Sequence, residues 1–164
     1  QALLIRHNGV IIPQQAIGTI VSVHDVPVDR RQTVEVMRDR TGCDYKNPNI
    51  TTLNLPHDKG RKKREVVRIH LVGYPKRMGS EAVEADLDLM GKRTATSDET
   101  MSLAIAFPDL QRHRPIVGLG SFWLRSGAYR YVVVLLEDAA KRDLCLFAWG
   151  GGWVSSELFA AVDK

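Results

Sequence analysis

The last third of the chain constrains the fold most, because helical spacing of apolar residues disappears there. From Pro115 onward, short apolar stretches alternate with glycine-rich or polar connections. The stretches are residues 116–123, 129–136, 144–149 and 153–162, and the connections are 125–127, 137–143 and 150–152. Apolar stretches separated by such turns are typical of paired β-strands. The sequence therefore predicts a β-rich C-terminal third.

Two amphipathic helices are predicted just before this β-rich third. The first spans residues 80–91, opens at Ser80 and ends at Gly91, with Lys92 and Arg93 following. The second begins near Ser97, carries acidic residues in its first turn, and ends before Pro108. Apolar residues at helical spacing on both segments predict that the two helices pack on antiparallel strands.

The first half contains one clear strand and several less regular segments. Residues 65–73 alternate strictly and predict a strand. Residues 16–23 also predict a strand, which stops at a turn at Pro27. Residues 28–40 fit helix and strand equally, whereas residues 41–60 are rich in glycine, proline and asparagine and predict a long irregular excursion.

Chain length and hydrophobic content limit the number of domains and exclude a long apolar segment. A chain of 164 residues that is 44% hydrophobic can bury one substantial core, so we expect a single α+β domain over residues 1–164. No apolar run approaches the roughly 20 residues that cross a bilayer, so no membrane span is expected. Both the cell surface and the cytoplasm are compatible with this sequence.

The charged residues permit a nucleic-acid partner without indicating one. The chain has 23 basic and 19 acidic residues, for a net charge of +4. The one dense basic run, residues 59–64, has no aromatic residues between its charges to stack on bases. A solvated loop or a guarded strand edge is the favoured interpretation of this run.

Motifs for catalysis and metal binding are weak. Residues 118–121 (GLGS) resemble a nucleophile elbow only loosely, because the glycine that should come after the serine is missing and Phe122-Trp123 stands there instead, so a β-turn is predicted. The pairs His24–Asp25 and His57–Asp58 are sequence neighbours, whose side chains point to opposite faces of a strand. Metal-ligand spacing is absent. We expect no enzyme activity, no metal and no cofactor.

The two cysteines, Cys43 and Cys145, leave the redox state open. They could form one disulfide in an oxidising compartment, and a pair of free thiols is also compatible with the sequence. Cys145 lies in a stretch, 144–149, that is apolar on both faces. Such a stretch is either buried on both sides or presents one aromatic face to a partner.

The C-terminal segment resembles the variable proteins of diversity-generating retroelements. The resemblance lies in residues 115–123 (PIVGLGSFW), 130–133 (RYVV), 141–146 (KRDLCL), 149–153 (WGGGW) and 159–162 (FAAV), about the last 50 residues. It implies a C-type-lectin-like fold. In that family a reverse transcriptase copies a template inaccurately at adenines, and the copy replaces codons in the 3′ end of the target gene.

The resemblance implies that certain surface positions within residues 125–164 vary between gene copies while the scaffold stays constant. A fold tolerates arbitrary side chains only where they neither pack in the core nor fix the backbone. The positions that we transfer as variable are Leu136, Glu137, Asp138, Lys141, Asp143, Cys145, Phe147, Ala148, Gly150, Gly151, Val154, Ser155, Ser156, Glu157 and Leu158. The residues that we expect to be scaffold are Val132, Val134, Leu144, Leu146, Trp153, Phe159 and Val162.

These considerations favour a noncatalytic ligand-binding protein with a diversified C-terminal recognition surface. Its partner is expected to be a protein or another macromolecule, with Phe147 and Trp149 as aromatic anchors. Calcium-dependent lectins usually carry two disulfides and an acidic calcium motif, and neither is evident here. Formylglycine-generating enzymes share the fold class but need a closely placed cysteine pair. The alternatives are a disulfide-stabilised secreted or periplasmic structural module and, more weakly, nucleic-acid binding through residues 59–64.

Overall fold

The computed structural model describes residues 4–7, 9–13 and 15–164, with only the backbone of residues 4–7 and 10–13. The strands are β1 (Leu4–His7), β2 (Val10–Pro13), β3 (Thr19–Asp29), β4 (Tyr45–Lys46), β5 (Arg64–Gly73), β6 (Lys92–Thr94), β7 (Ile116–Arg125), β8 (Tyr129–Asp138), β9 (Lys141–Ala148) and β10 (Leu158–Asp163). The helices are α1 (Val34–Arg40), α2 (Ser80–Leu89) and α3 (Ser97–Ala106). Three helices with one large sheet confirm the α+β class.

The large sheet has eight strands in the order β3-β5-β10-β7-β8-β9-β4, with β6 beside β10, while β1 and β2 form a separate hairpin. The C-terminal strand β10 runs antiparallel to β5 and parallel to β7. β4 also pairs parallel with β9. The prediction of purely antiparallel strands is therefore wrong at two pairs. A strand inserted between two strands of opposite direction must run parallel to one of them.

Apolar side chains cover both faces of the sheet and form two cores. The first core lies between the sheet and helices α1 and α3, and it includes Val67, Ile69 and Leu71 from one face of β5. The second core lies on the opposite face, where α2 contributes Val83 and Leu87. The alternation predicted for residues 65–73 is confirmed, because Val67, Ile69 and Leu71 lie in the first core while Val66 and Arg68 between them are exposed and Val72 lies in the second core.

Helix α2 matches its prediction. It begins at Ser80, buries Val83 and Leu87, and is followed by Gly91, whose φ of +73° is the left-handed conformation that ends many helices. Helix α3 also begins where predicted. The Thr96 side chain and the Glu99 carboxylate form a reciprocal capping box at its first turn.

The prediction that α3 is amphipathic is wrong. All of its residues from Ser97 to Ala104 are buried, because α3 packs against the sheet on one side and α1 on the other. Its acidic first turn is paired inside the protein: Asp98 with Arg30, and Glu99 with Arg93. The apolar periodicity of α3 predicted a solvent-exposed polar face. That face is buried instead, because its polar side chains bond to partners inside the protein.

Residues 28–40, whose pattern fits helix and strand equally, contain the end of β3 and helix α1. Thr33 caps α1 by accepting a hydrogen bond from the Val36 backbone. Glu35 then ties α1 to the following excursion, since its carboxylate accepts hydrogen bonds from the backbone and hydroxyl of Thr52, both at 2.7 Å. These bonds lower the pKa of Glu35 to about 2. The excursion over 41–60 is irregular as predicted, apart from the two residues of β4.

The first long strand differs from its prediction. β3 begins at Thr19 and continues through Pro27 to Asp29 instead of stopping at a turn. Within the described sheet β3 is an edge strand that pairs only with β5. A proline is tolerated there because its missing N–H faces away from the ladder.

Three boundaries in the C-terminal third also differ. Residues 137–143 are not a loop: β8 and β9 extend to a tight hairpin at Ala139 and Ala140, both with positive φ. A left-handed turn built from two alanines carries none of the usual glycine signal. Residues 118–121 lie inside β7, at an irregularity in its pairing with β8, and not in a β-turn. β10 begins at Leu158, not at residue 153.

Across the described ranges, no helix has both the length and the apolar character that a membrane span requires.

Candidate functional site

One face of the β8–β9 hairpin brings together many of the predicted variable residues. Directly opposite residues of an antiparallel pair share a face, and the register pairs Leu136 with Asp143 and Asp138 with Lys141. Alternation along β9 adds Cys145 and Phe147 to that face. We call these six side chains the open face: Leu136, Asp138, Lys141, Asp143, Cys145 and Phe147.

Burial falls sharply from β8 to β9 on this side of the sheet. Val132 and Val134 of β8 are fully buried in the second core. Across the strand pair, Phe147 lies opposite Val132 and is 39% exposed, and Cys145 lies opposite Val134 and is partly exposed. The cover over β8 comes from Trp149 and Trp153, which belong to the same core. The open face begins where that cover ends.

Other predicted variable positions lie outside the open face. Glu137 and Ala148 are exposed on the opposite face of the hairpin, and Arg112 donates to the Glu137 carboxylate at 3.0 Å. Gly150, Gly151 and residues 154–157 belong to a segment, 149–157, that runs from the end of β9 to the start of β10. We call it the crossing segment.

The backbone of the crossing segment is held by residues outside it. Arg114 donates to the carbonyl oxygens of Ser155 and Ser156, each at 2.8 Å, and Arg77 donates to that of Gly151 at 2.8 Å. These bonds use main-chain acceptors, so they do not depend on the side chains at those positions. Such anchoring does not use the side chains of Ser155 or Ser156, whereas the Val154 N–H donates to the Glu157 carboxylate at 3.0 Å.

Two of the assigned recognition residues are buried. Leu158 is 6% exposed and packs in the first core. Trp149 is 8% exposed, and its indole N–H donates to Glu81 at 2.7 Å. The Ser80 hydroxyl bonds to the Trp149 carbonyl and accepts from the Trp153 indole. The structure therefore places Leu158 and Trp149 in the scaffold, because both side chains pack inside and Trp149 is also bonded to α2.

The expected scaffold residues lie inside the protein. Six of the expected scaffold residues are at most 8% exposed: Val132, Val134, Leu144, Trp153, Phe159 and Val162. Leu146 is partly buried and packs against the first core. Their burial agrees with the scaffold role that was expected of them.

An aromatic and cationic group beside the open face was missed by the sequence reasoning. Phe122 is 43% exposed and meets the edge of the Trp149 ring. The Arg130 guanidinium lies 4.8 Å from the centre of the Phe122 ring and 5.5 Å from that of Trp149. Arg130 shares the parity of Val132 and Val134 in β8, and that alternation could have placed it on this face.

The acidic side chains near this group have shifted pKa values. The hydrogen bond from Trp149 lowers the pKa of Glu81. Burial, together with the negative charge of Glu81, raises the pKa of Glu84. Trp149 and Arg130 therefore lie beside a fixed negative charge from α2.

Both cysteines are free thiols in this structure. Burial, with the nearby charge of Asp143, raises the pKa of Cys145 to about 11. Its thiol is protonated at neutral pH, so it lacks the thiolate character of a catalytic nucleophile. The Cys43–Cys145 bridge that the structural-module alternative needs is not formed.

Neither of the adjacent His–Asp pairs forms an acid–base couple. His57 bonds instead to Asp98, with Nδ1 2.6 Å from Oδ1, and its Nε2 lies 2.7 Å from the Gln32 carbonyl oxygen. A general base needs its second nitrogen free for substrate, and here the Gln32 carbonyl occupies it. His24 bonds to Ser22, and Asp25 pairs with Arg68.

Among the described residues, no group of three or more His, Cys, Asp or Glu side chains is placed to hold a metal ion.

The basic run 59–64 leads from the irregular excursion into β5. Arg61 pairs with Asp58, and Arg30 bonds to the backbone carbonyls of Lys62 and Lys63. The run is thus fixed through its backbone, and most of its side chains remain in solvent.

No protein-family model, curated protein or solved structure matches this chain.

Proposed function

We propose that this chain is a noncatalytic ligand-binding protein whose recognition surface, the open face with the crossing segment, is diversified on a C-type-lectin-like scaffold. The observation that carries the proposal is the separation of two sets of side chains. Most residues assigned as variable are exposed or partly exposed, and most residues assigned as scaffold are buried. A surface can change its side chains without unfolding the protein only where this separation exists.

The arrangement of the chain supports the proposed scaffold. The central strand β10 is held by β5 on one side and β7 on the other, and neither strand contains an assigned variable position. The crossing segment is anchored through its backbone carbonyls at both ends. Variation on the surface therefore leaves the pairing of the central strands untouched.

The shape of the surface supports a macromolecular partner. The open face is built on strands and extends along β9 and the adjoining end of β8 instead of closing around a small ligand. Exposed aromatic and arginine side chains carry much of the binding energy at protein interfaces. Phe147, Phe122 and Arg130 provide such groups at one end, and Asp138 and Lys141 provide charges at the other.

The first experiment tests whether the open face is independent of the fold. We expect Phe147→Ser and Cys145→Ser to change the free energy of unfolding by less than about 1 kcal/mol each, because these side chains are exposed or partly exposed. Their cross-strand partners are the matched controls. Val132→Ser and Val134→Ser should each cost about 3 kcal/mol, since they bury a hydroxyl and leave a cavity. Urea unfolding measures all four.

Equal losses at the exposed and buried positions would contradict the proposal, because the open face would then be part of the core.

The second experiment tests diversification itself. The DNA downstream of the gene should contain a near-copy of the segment encoding residues 125–164, beside a reverse-transcriptase gene. The near-copy should differ from the gene mainly at template adenines, and those codons should coincide with the assigned variable positions. Absence of the near-copy would exclude diversification by this route, whatever the urea experiment shows.

A further inference from the structure

A cleft lies far from the open face, at the other edge of the sheet. Its volume is about 590 Å³, and it is bounded by the ends of β3 and β5 together with α1 and α3. Its apolar lining includes Val28, Val66 and Ile105. Clefts of about 300–1,000 Å³ are typical of small-molecule sites. We call it the edge cleft.

Two arginines line the edge cleft without an acidic partner of their own. Arg40 bonds to the neutral side chain of Gln32 at 2.8 Å. Within the described part of the chain, the Arg64 guanidinium forms no hydrogen bond or ion pair. Each of these charges is therefore free to bind an anion that enters the cleft.

The acidic residues of the cleft are already paired with other arginines. Asp29 is held by two bonds from Arg31, at 2.9 and 2.8 Å, and this pairing strongly lowers the pKa of Asp29. Glu65 pairs with Arg30 at 2.6 Å. Asp29 therefore has a cationic partner of its own, and Glu65 shares Arg30 with Asp98, whereas Arg40 and Arg64 have no acidic hydrogen-bond partner among the described residues.

We propose that the edge cleft is a second binding site, for a small organic anion that joins a compact apolar group to a phosphate or carboxylate. Arginine presents a planar fork of N–H donors that matches either oxyanion. The apolar lining would accept the rest of the ligand. This site is independent of the proposed recognition surface, since β5, β10, β7 and β8 separate β3 from β9 in the sheet.

The edge cleft also accounts for one residue of the basic run. Arg64 is the last residue of 59–64 and the first of β5, so the strand fixes its position beside Asp29. Arg61 belongs to the same run but pairs with Asp58 outside the cleft. The two arginines differ in location and have the same charge, which makes Arg61 a matched control for Arg64.

The test is calorimetric titration of the full chain with phenyl phosphate, benzoate and inorganic phosphate at one ionic strength. Phenyl phosphate or benzoate should bind about tenfold more tightly than inorganic phosphate, because only the aromatic probes use the apolar lining. Whichever aromatic probe binds more tightly identifies the oxyanion. Arg40→Gln and Arg64→Gln should each weaken binding of that probe about tenfold, whereas Arg61→Gln should leave it unchanged.

A variant that fills the cleft distinguishes binding inside the cleft from general attraction of anions to the protein surface. Ala106 lines the cleft and is exposed at the end of α3, so Ala106→Trp should block binding without changing any charge. Binding that persists in Ala106→Trp, or that Arg61→Gln weakens as much as Arg64→Gln, would overturn the proposal. So would the absence of binding by both aromatic probes at millimolar concentration. Variants of the open face should not alter these titrations.

Discussion

Single glycines in β7 determine how closely α3 approaches the sheet. A Cβ added at Gly120 would lie 2.5 Å from the Ala95 carbonyl oxygen, and one added at Gly118 would clash with the Thr100 side chain. The Gly120 N–H donates to the same Ala95 oxygen at 2.8 Å. Ser121 then accepts a bond from the Ser97 backbone at the start of α3. The residues that resembled a nucleophile elbow therefore serve helix–strand packing.

Replacement of Gly120 should show how tightly this contact is packed. We expect Gly120→Ala to lower the free energy of unfolding by about 2–3 kcal/mol, because the new methyl group meets backbone atoms that cannot move aside alone. Gly150→Ala is the control, since a Cβ there has no neighbour within 4 Å. It should change stability by less than about 0.5 kcal/mol. A small loss for Gly120→Ala in urea unfolding would mean that α3 can shift away from β7.

At the scale of elements, a buried ionic network joins β3, β5 and α3. Arg30 follows β3 and is 4% exposed. It donates to Glu65 of β5 at 2.6 Å and to Asp98 of α3 at 3.2 Å. His57 adds a second bond to Asp98, and Arg93 pairs with Glu99. Burial raises the pKa of Asp98 against the opposing influence of His57 and Arg30, so that carboxylate depends on its partners.

Removal of Arg30 should leave buried carboxylates without compensation. We expect Arg30→Met, which keeps much of the side-chain length, to cost about 3–5 kcal/mol of stability. Arg31→Met is the control, because Arg31 is 57% exposed in its pair with Asp29 and such surface pairs add little to stability. Chemical unfolding of both variants at neutral pH measures the difference. Comparable losses would show that the network adds no more than a surface pair.

At the scale of the whole molecule, the C-terminal strand completes the sheet. β10 pairs with β5 from the first half of the chain and with β7 from the last third, so it joins these two parts of the sheet. Its residues Phe159, Ala160 and Ala161 are at most 1% exposed and contribute to both cores. Neither half of the chain can therefore bury its apolar strand face without the other.

This arrangement predicts one cooperative unfolding transition. All three tryptophans lie in the last third, so their fluorescence reports on that region, whereas far-ultraviolet circular dichroism reports on the whole chain. The two signals should give the same midpoint in urea. Deletion of residues 158–164 should abolish the transition in both signals. Two separate midpoints would instead indicate two independently stable units.

The proposed recognition surface could be predicted only in part. The family resemblance supplied its positions, and the two-residue period of a strand, which is local, accounts for why six of them share the open face. Burial of Leu158 and Trp149 was missed because it depends on β5, β7 and α2, which are distant in sequence. Alternation along β8 could have placed Arg130 on this face, but its contact with Trp149, and that of Phe122 with Trp149, depend on the crossing segment.

The sequence by itself determined the helices at 80 and 97, the alternation of β5 and the β-rich C-terminal third, because these follow from caps, turns and periodicity within a few residues. Only the tertiary structure decided that β10 lies in the middle of the sheet, that α3 is buried from Ser97 to Ala104, and that the edge cleft holds two arginines without acidic partners. Those features depend on contacts between residues far apart in sequence, such as Arg30 with Asp98 and Phe159 with Val72. Local sequence patterns do not encode such distances.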